Sequence, residues 1–322
     1  MIKGKTIFIT GGAGFIGSGI AERLVDNNKI IIYDNFLRNS LKYKNIASHE
    51  NIEIIKGDVL DADHLNKSVN DSNIIIHLAS IAGVDNVLKN PTETMRICLI
   101  GACNIFEIAK RLKNLERIID LSTSEVFGNY AYKSEEDHTT SMGVVGEARW
   151  TYAVSKLAAE HLLHSYHKQF GLPGVSIRPF NIYGPYQTGE SAIHTFIRRA
   201  LKNETIQIHG DGDQIRSWCY IDDLIDGILL CIENEKSIGN VYNIGNPKGT
   251  ITILHLAKLI INICKSDSNI EFIPKDYTDV ESRIPSIEKA KKELGFNPKI
   301  NLEEGIHRTV EWYKNFKDED KV

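Results

Sequence analysis

The chain has 322 residues, with 38 Lys+Arg against 42 Asp+Glu for a formal net charge of −4, and it is 42% hydrophobic and 25% charged. Those proportions belong to a globular protein and exclude collagen-like, disordered and disulfide-scaffold chains. The slight acidity gives no basic footprint for nucleic acid, and no apolar run approaches the ~18 residues of a membrane span. Length alone allows one large domain or two moderate ones.

Residues 1–10 read as a short apolar strand running straight into glycines, not as a signal peptide. Further strands are predicted at Ile30–Tyr33, Ile52–Ile55, Ile74–His77 and Arg117–Leu121, after a first at Thr6–Thr10. Their near-continuous apolar character suits parallel strands covered on both faces. Helical periodicity falls between them, as in Ile16, Ile20 and Leu24, and the alternation predicts a parallel α/β sheet. The five cysteines (Cys98, Cys103, Cys219, Cys231, Cys264) show no CxxC spacing and an odd count. They read as reduced thiols of a cytoplasmic enzyme, with no metal site. His161, His164 and His167 splay around their helix and make no ligand set.

After Pro179 the texture changes. Glycines and prolines cluster to Gly189, a basic helix covers Phe196–Leu201, and a strand is expected at Ile206–His209. Strand-like Val241–Ile244 and a helix over Ile253–Ile263 follow. The expected division is residues 1–179 as a nucleotide-binding domain and 180–322 as a smaller α/β substrate domain, with a soft boundary. The charged tail Lys317–Val322 is expected to fray.

Thr10-Gly11-Gly12-Ala13-Gly14-Phe15-Ile16-Gly17 lies between the first strand and the first helix. Glycines there permit a tight turn, let backbone approach a pyrophosphate and let the helix pack on the strand. The helix N-terminus offers free N–H groups to the phosphates. Asp34, 23 residues after Gly11, ends the second strand and is placed for a ribose diol. Its charge would repel a 2′-phosphate, so the cofactor expected is NAD, with Arg38 nearby as the competing signal. Asn35, Val59, Leu78 and Ala79 flank the same site. Asp58 is either an adenine partner or a turn aspartate. His77 reads as a packed strand-end residue.

Tyr152 and Lys156 stand one helical turn apart in a helix predicted from Arg149 to Tyr166. A phenol titrates near ~10, so a base at neutral pH needs a nearby ammonium and a positive nicotinamide. Ser122-Thr123-Ser124-Glu125 follows the strand Arg117–Leu121, at the strand end where open parallel sheets bind ligands.

At these residues the chain resembles extended short-chain dehydrogenase/reductases of the nucleotide-sugar-modifying branch, over nearly its whole length. The resemblance implies a Rossmann-type doubly wound sheet. It makes Thr123 the active-site Ser/Thr, Tyr152 the base and Lys156 its partner. It brings Asn181 (in Arg178-Pro179-Phe180-Asn181) and two arginines, Arg216 and Arg283, to a sugar diphosphate, preferably a UDP-sugar. Guanidinium forks suit that ligand. It also implies a homodimer through the Tyr-Lys helix and its neighbour, for which Ile100, Ile105, Ile108, Ala109, Leu157 and Leu162 are candidates. Cys98 stands where the family often has Asn, and Ser286 replaces a frequent Asp.

The shared first step would be oxidation of a sugar C4 hydroxyl. Thr123-Ser124-Glu125 resembles UDP-glucuronic acid decarboxylases, whereas glucose-type 4,6-dehydratases carry Asp-Glu after the threonine. GDP-mannose 4,6-dehydratases share Thr-Ser-Glu, however. The expectation is decarboxylation of UDP-glucuronic acid or a 2-acetamido analogue, with Glu125 handling the proton at C5. A 4,6-dehydratase, a 4-epimerase and an NAD-sensing regulatory protein are the alternatives.

Overall fold

The computed structural model describes residues 2–189, 191–274 and 280–315; the tail Lys317–Val322 lies outside them. Seven parallel strands make the main sheet, in the spatial order Val241–Ile244, Gly174–Pro179, Arg117–Leu121, Ile74–His77, Thr6–Thr10, Lys29–Asp34 and Ile52–Lys56. The order reverses on either side of Thr6–Thr10, which makes the sheet doubly wound and opens a crevice at the carboxyl ends of its central strands.

Both faces of the sheet are covered. Ile7, Ile9, Ile30 and Ile32 belong to one core cluster with Ile20 and Leu24 of the first helix, Phe15–Leu24. Phe8, Ile31, Ile75 and Ile118 point the other way, into a cluster with Ile105, Phe106, Ile108 and Ala109. Neighbouring strand residues thus serve opposite cores, which is why the strands read as unbroken isoleucine runs rather than alternating patterns.

Val241–Ile244, which the sequence places with the second half, pairs in parallel with Gly174–Pro179 and completes the large sheet. The helix Ile221–Glu233 precedes it and packs beside the first helix; a Cβ on Gly19 would lie 2.8 Å from the Ile225 side chain. The connection needs this helix because parallel neighbours cannot be joined by a tight turn. Arg178 and Asn243 are register partners across the new edge.

A second, four-stranded sheet is ordered Thr250–Thr252, Ile215–Ser217, Ser282–Pro285 and Tyr130–Ser134. Its members come from four separate stretches of chain, so periodicity within any one of them could not announce it. In its register Arg216 stands directly beside Arg283. Ile206–His209 forms as expected and pairs with Ile270–Ile273. Among the described residues no helix is long and apolar enough to cross a membrane, and all five cysteines are free thiols.

Three residues expected at a dimer seam are placed otherwise. Ile105, Ile108 and Ala109 are buried in the core under their own sheet, because the helix Gly101–Ala109 spends its apolar face there. Leu157 packs on Val126, Phe127 and Phe180, and Leu162 is half-buried against the Phe106 cluster. Ile100 remains exposed, as does Val154 on the Tyr-Lys helix.

Candidate active site

The glycine turn is shaped by contacts that exclude side chains. Gly11 has φ +69°, and a Cβ on it would come within 2.8 Å of the Ala79 nitrogen. A Cβ on Gly17 would sit 2.6 Å from both the Gly11 oxygen and the Gly12 Cα. The Gly11 N–H donates to the Tyr33 carbonyl, which anchors the turn to the second strand. A cavity of about 350 Å³ opens above it, lined by Gly11, Gly14, Phe15, Ile16, Gly17, Asp34, Asn35, Asp58, Val59, Leu78, Ala79 and Tyr152. These expected cofactor residues line one cavity, whereas Lys156 is buried and does not line it.

Asp34 is nearly enclosed; its Oδ2 accepts from the Ala13 N–H at 2.9 Å and its Oδ1 from the Phe36 N–H at 2.7 Å. Burial raises its pKa above the ordinary carboxylate value, against the lowering effect of those amides. Asp58 accepts from the Leu60 N–H at 2.9 Å while lining the cavity, so it serves the turn and faces the ligand space together. Arg38, the competing signal for a 2′-phosphate, donates to the Ala82 carbonyl at 2.8 Å. It lines both this cavity and a second one of about 710 Å³, where Arg198, Arg199, Lys202, Gln214 and Arg216 add positive and polar surface.

The catalytic helix runs Thr151–Phe170, after a single turn at Ala148–Trp150. Ala153, Ser155, Lys156, Ala159 and Glu160 are buried along it. The Lys156 Nζ is 4.0 Å from the Asp120 carboxylate, itself wholly buried in the adjacent strand. Tyr152 is hydrogen-bonded to Thr123, which lowers its pKa, but burial raises it far more, followed by Cys98 and Glu125. The protein groups by themselves thus hold the phenol above its usual value, contrary to the lowering expected from Lys156. The positive charge needed for a base must come in part from the cofactor.

After Thr123, whose hydroxyl accepts from the Glu125 N–H at 3.2 Å, a turn buries Ser124 and directs Glu125 into a clamp. Its Oε2 pairs with Arg149 and its Oε1 lies 3.5 Å from Arg283. Burial opposes ionisation, yet the Arg283 and Arg149 guanidiniums overcome it and hold the carboxyl below the ordinary range. Sequence reasoning assigned Arg149 no role, although it sits three residues before Tyr152. Arginine at a helix start reads as a solvated charge, and nothing local marks it as buried.

Two expected sugar-diphosphate residues also make contacts within the protein. Asn181, with φ +42°, donates its side-chain N–H to the Ser217 carbonyl at 3.0 Å and so braces the second sheet. Arg283 faces Glu125, while its strand neighbour Arg216 lines the basic cavity. Deeper still, Arg178 holds Glu160 at 2.7 Å, and Glu160 accepts from the Ser122 hydroxyl.

A parallel sheet with a glycine turn at its switch point, an acid on the second strand and a Tyr-Lys pair beside the cavity defines a dinucleotide-dependent enzyme of the short-chain type. The family model "NAD dependent epimerase/dehydratase family" matches residues 7–245, and the chain belongs to that family; its cofactor is NAD. A UDP-N-acetyl-alpha-D-glucosaminuronate decarboxylase of Bacillus cytotoxicus is 34% identical over 98% of this chain and 99% of its own. UDP-glucuronic acid decarboxylase 1 of Danio rerio is 34% identical over 96% of this chain and 72% of its own. Among solved structures, UDP-glucuronic acid 4-epimerase from Bacillus cereus, in complex with UDP-glucuronic acid and NAD, superposes with a TM-score of 0.88. It is 32% identical, covering 96% of this chain and 99% of the other.

Proposed function

We propose that the protein oxidises C4 of UDP-glucuronic acid, or of its 2-acetamido analogue, and then releases C6 as carbon dioxide. One observation carries the choice among the family's reactions: the ionised Glu125 clamped between Arg149 and Arg283. Loss of a 6-hydroxyl needs an acid beside it, and neither Ser124 nor an ionised Glu125 is one. Loss of carbon dioxide needs none. In this reading Glu125 fixes the two guanidiniums in place.

The site fits NAD on two grounds: a cavity lined by Gly11, Gly14, Gly17 and Asp34, and a buried Lys156 Nζ with no hydrogen-bond acceptor among the described residues. The N–H groups of the glycine turn would meet the pyrophosphate, Asp34 the adenosine ribose, and Tyr152 and Lys156 the nicotinamide end. NAD supplies the reversible hydride acceptor and the positive charge. Tyr152 takes the proton of the C4 hydroxyl at its Oη while Thr123 holds that oxygen. With C4 a ketone, the C5–C6 bond breaks and its electron pair moves into the C4 carbonyl as an enolate. A proton drawn from solution then closes C5. Arg216 and the basic cavity around it would hold the diphosphate.

The test incubates the NAD-loaded enzyme separately with UDP-glucose, UDP-N-acetylglucosamine, GDP-mannose and the two UDP-hexuronic acids, following products by NMR. Carbon dioxide and a five-carbon sugar are expected from a hexuronic acid, and Tyr152→Phe should abolish turnover. A 4-keto-6-deoxy sugar from a neutral hexose would overturn decarboxylation in favour of dehydration. A C4 epimer retaining six carbons would do so in favour of epimerisation.

A further inference from the structure

Directly beneath the Tyr152–Lys156 pair the sheet carries charge where a hydrophobic core is expected. Asp120 lies inside the strand Arg117–Leu121, between isoleucine and leucine, and is fully buried. Among the described residues neither of its carboxylate oxygens has a hydrogen-bond partner. Lys156 Nζ, equally enclosed, is also without one among them, and the two groups lie 4.0 Å apart. An ionised carboxylate or an ammonium buried alone is costly by several kcal/mol, so each is tolerated because of the other.

The remaining groups around them are accounted for. His77, the register partner of Asp120 on the next strand, is buried, and its Nδ1 meets the Thr10 hydroxyl at 2.7 Å. That hydroxyl also accepts from the Leu78 N–H at 3.2 Å. Burial, then the Lys156 charge, pushes the imidazole pKa down to about 3, so His77 is neutral. Glu160, one helical turn beyond Lys156, is already held by Arg178. Cys98 is a buried thiol facing Tyr152 from the Arg96–Ile100 turn, and Ser176, register partner of Asp120 on its other side, is uncharged. Asp120 is therefore the one anion available to Lys156 from the elements packed around it among the described residues.

We infer that Asp120 is the buried counter-ion of Lys156 within the core, a positioning residue acting on Tyr152 through the lysine. Burial lifts the Asp120 carboxyl to about 6, so at neutral pH the carboxylate is mostly ionised and on mild acidification it takes up a proton. The catalytic half of this inference rests on the Tyr152–Lys156 reading; the ion pair itself does not.

A thermodynamic cycle on the NAD-loaded protein separates them. Asp120→Asn should lower Tm by several degrees in the wild-type background, because the ammonium is left uncompensated, and by far less in a Lys156→Met background. Equal losses in the two backgrounds, or no loss in either, would overturn the ion pair. If Asp120→Asn alone fails to fold, recovery of a folded Asp120→Asn/Lys156→Met double variant supports the pair, and failure of both removes it. In the single variant kcat should fall on the order of tenfold with KM unchanged. An unaltered kcat beside a positive stability cycle would leave the ion pair standing and refute its action on Tyr152.

Discussion

At the scale of single residues, what decides the chemistry here is which charge is compensated and by what. Glu125 has two guanidiniums and stays ionised; Asp120 has one ammonium at the limit of contact; Asp34 has only backbone amides. That last case gives a direct prediction. With no basic side chain against it among the described residues, the Asp34 carboxylate attracts a ribose diol and repels a 2′-phosphate. Asp34→Ala should raise the Kd of NAD by on the order of tenfold or more, as charge-assisted hydrogen bonds are lost. It should raise that of NADP much less, narrowing the preference between them. Because the Ala13 and Phe36 N–H groups also lose their acceptor, the variant should melt earlier, so the ratio of the two affinities, measured by calorimetry, is the informative quantity. An unchanged ratio would remove Asp34 from the cofactor site.

At the scale of elements, the glycine turn and the helix behind it were legible in the sequence because their constraint is local. Gly11 to Gly17 are seven consecutive positions, and the strand before and helix after announce themselves by periodicity. The local constraint also differs from glycine to glycine. A methyl on Gly17 would collide with backbone at 2.6 Å, whereas one on Gly14 would meet only the Gly11 oxygen at 3.2 Å. Gly17→Ala should therefore lower Tm by a few degrees, since overpacking costs about 1–3 kcal/mol, and weaken NAD at least as strongly as it destabilises. Gly14→Ala should be the milder change in both thermal melting and NAD titration, and the reverse ranking would contradict the close approach seen here. The four-stranded sheet was not legible, because Arg216 and Arg283 become neighbours only through pairing of strands more than sixty residues apart in sequence. The same holds for Val241–Ile244, whose apolar run reads identically in either sheet. Arg149 and Asp120 escaped for a related reason: their meaning lies in partners brought by other elements.

At the scale of the whole molecule, the cofactor cavity is walled by both halves of the chain. The glycine turn, Asp34, Val59 and Pro179 come from the first part, and Ile182, Gln187 and Thr188 come from the segment after the sixth strand of the large sheet. Arg38 and Asn86 line this cavity and the basic one beside it, so the two are contiguous. The proposed reaction is redox-neutral: the hydride leaves C4 and returns to the same sugar. That chemistry calls for a cofactor that is recycled in place rather than exchanged each cycle. Protein purified without added NAD should carry a substantial fraction already bound, detectable by absorbance after denaturation. It should also turn over many equivalents of hexuronic acid with sub-stoichiometric NAD and no net NADH. Release of an oxidised 4-keto product in occasional cycles would leave a small, slowly growing NADH signal. One NADH formed for every sugar consumed would show that the hydride does not return, and that the two walls open at every turnover.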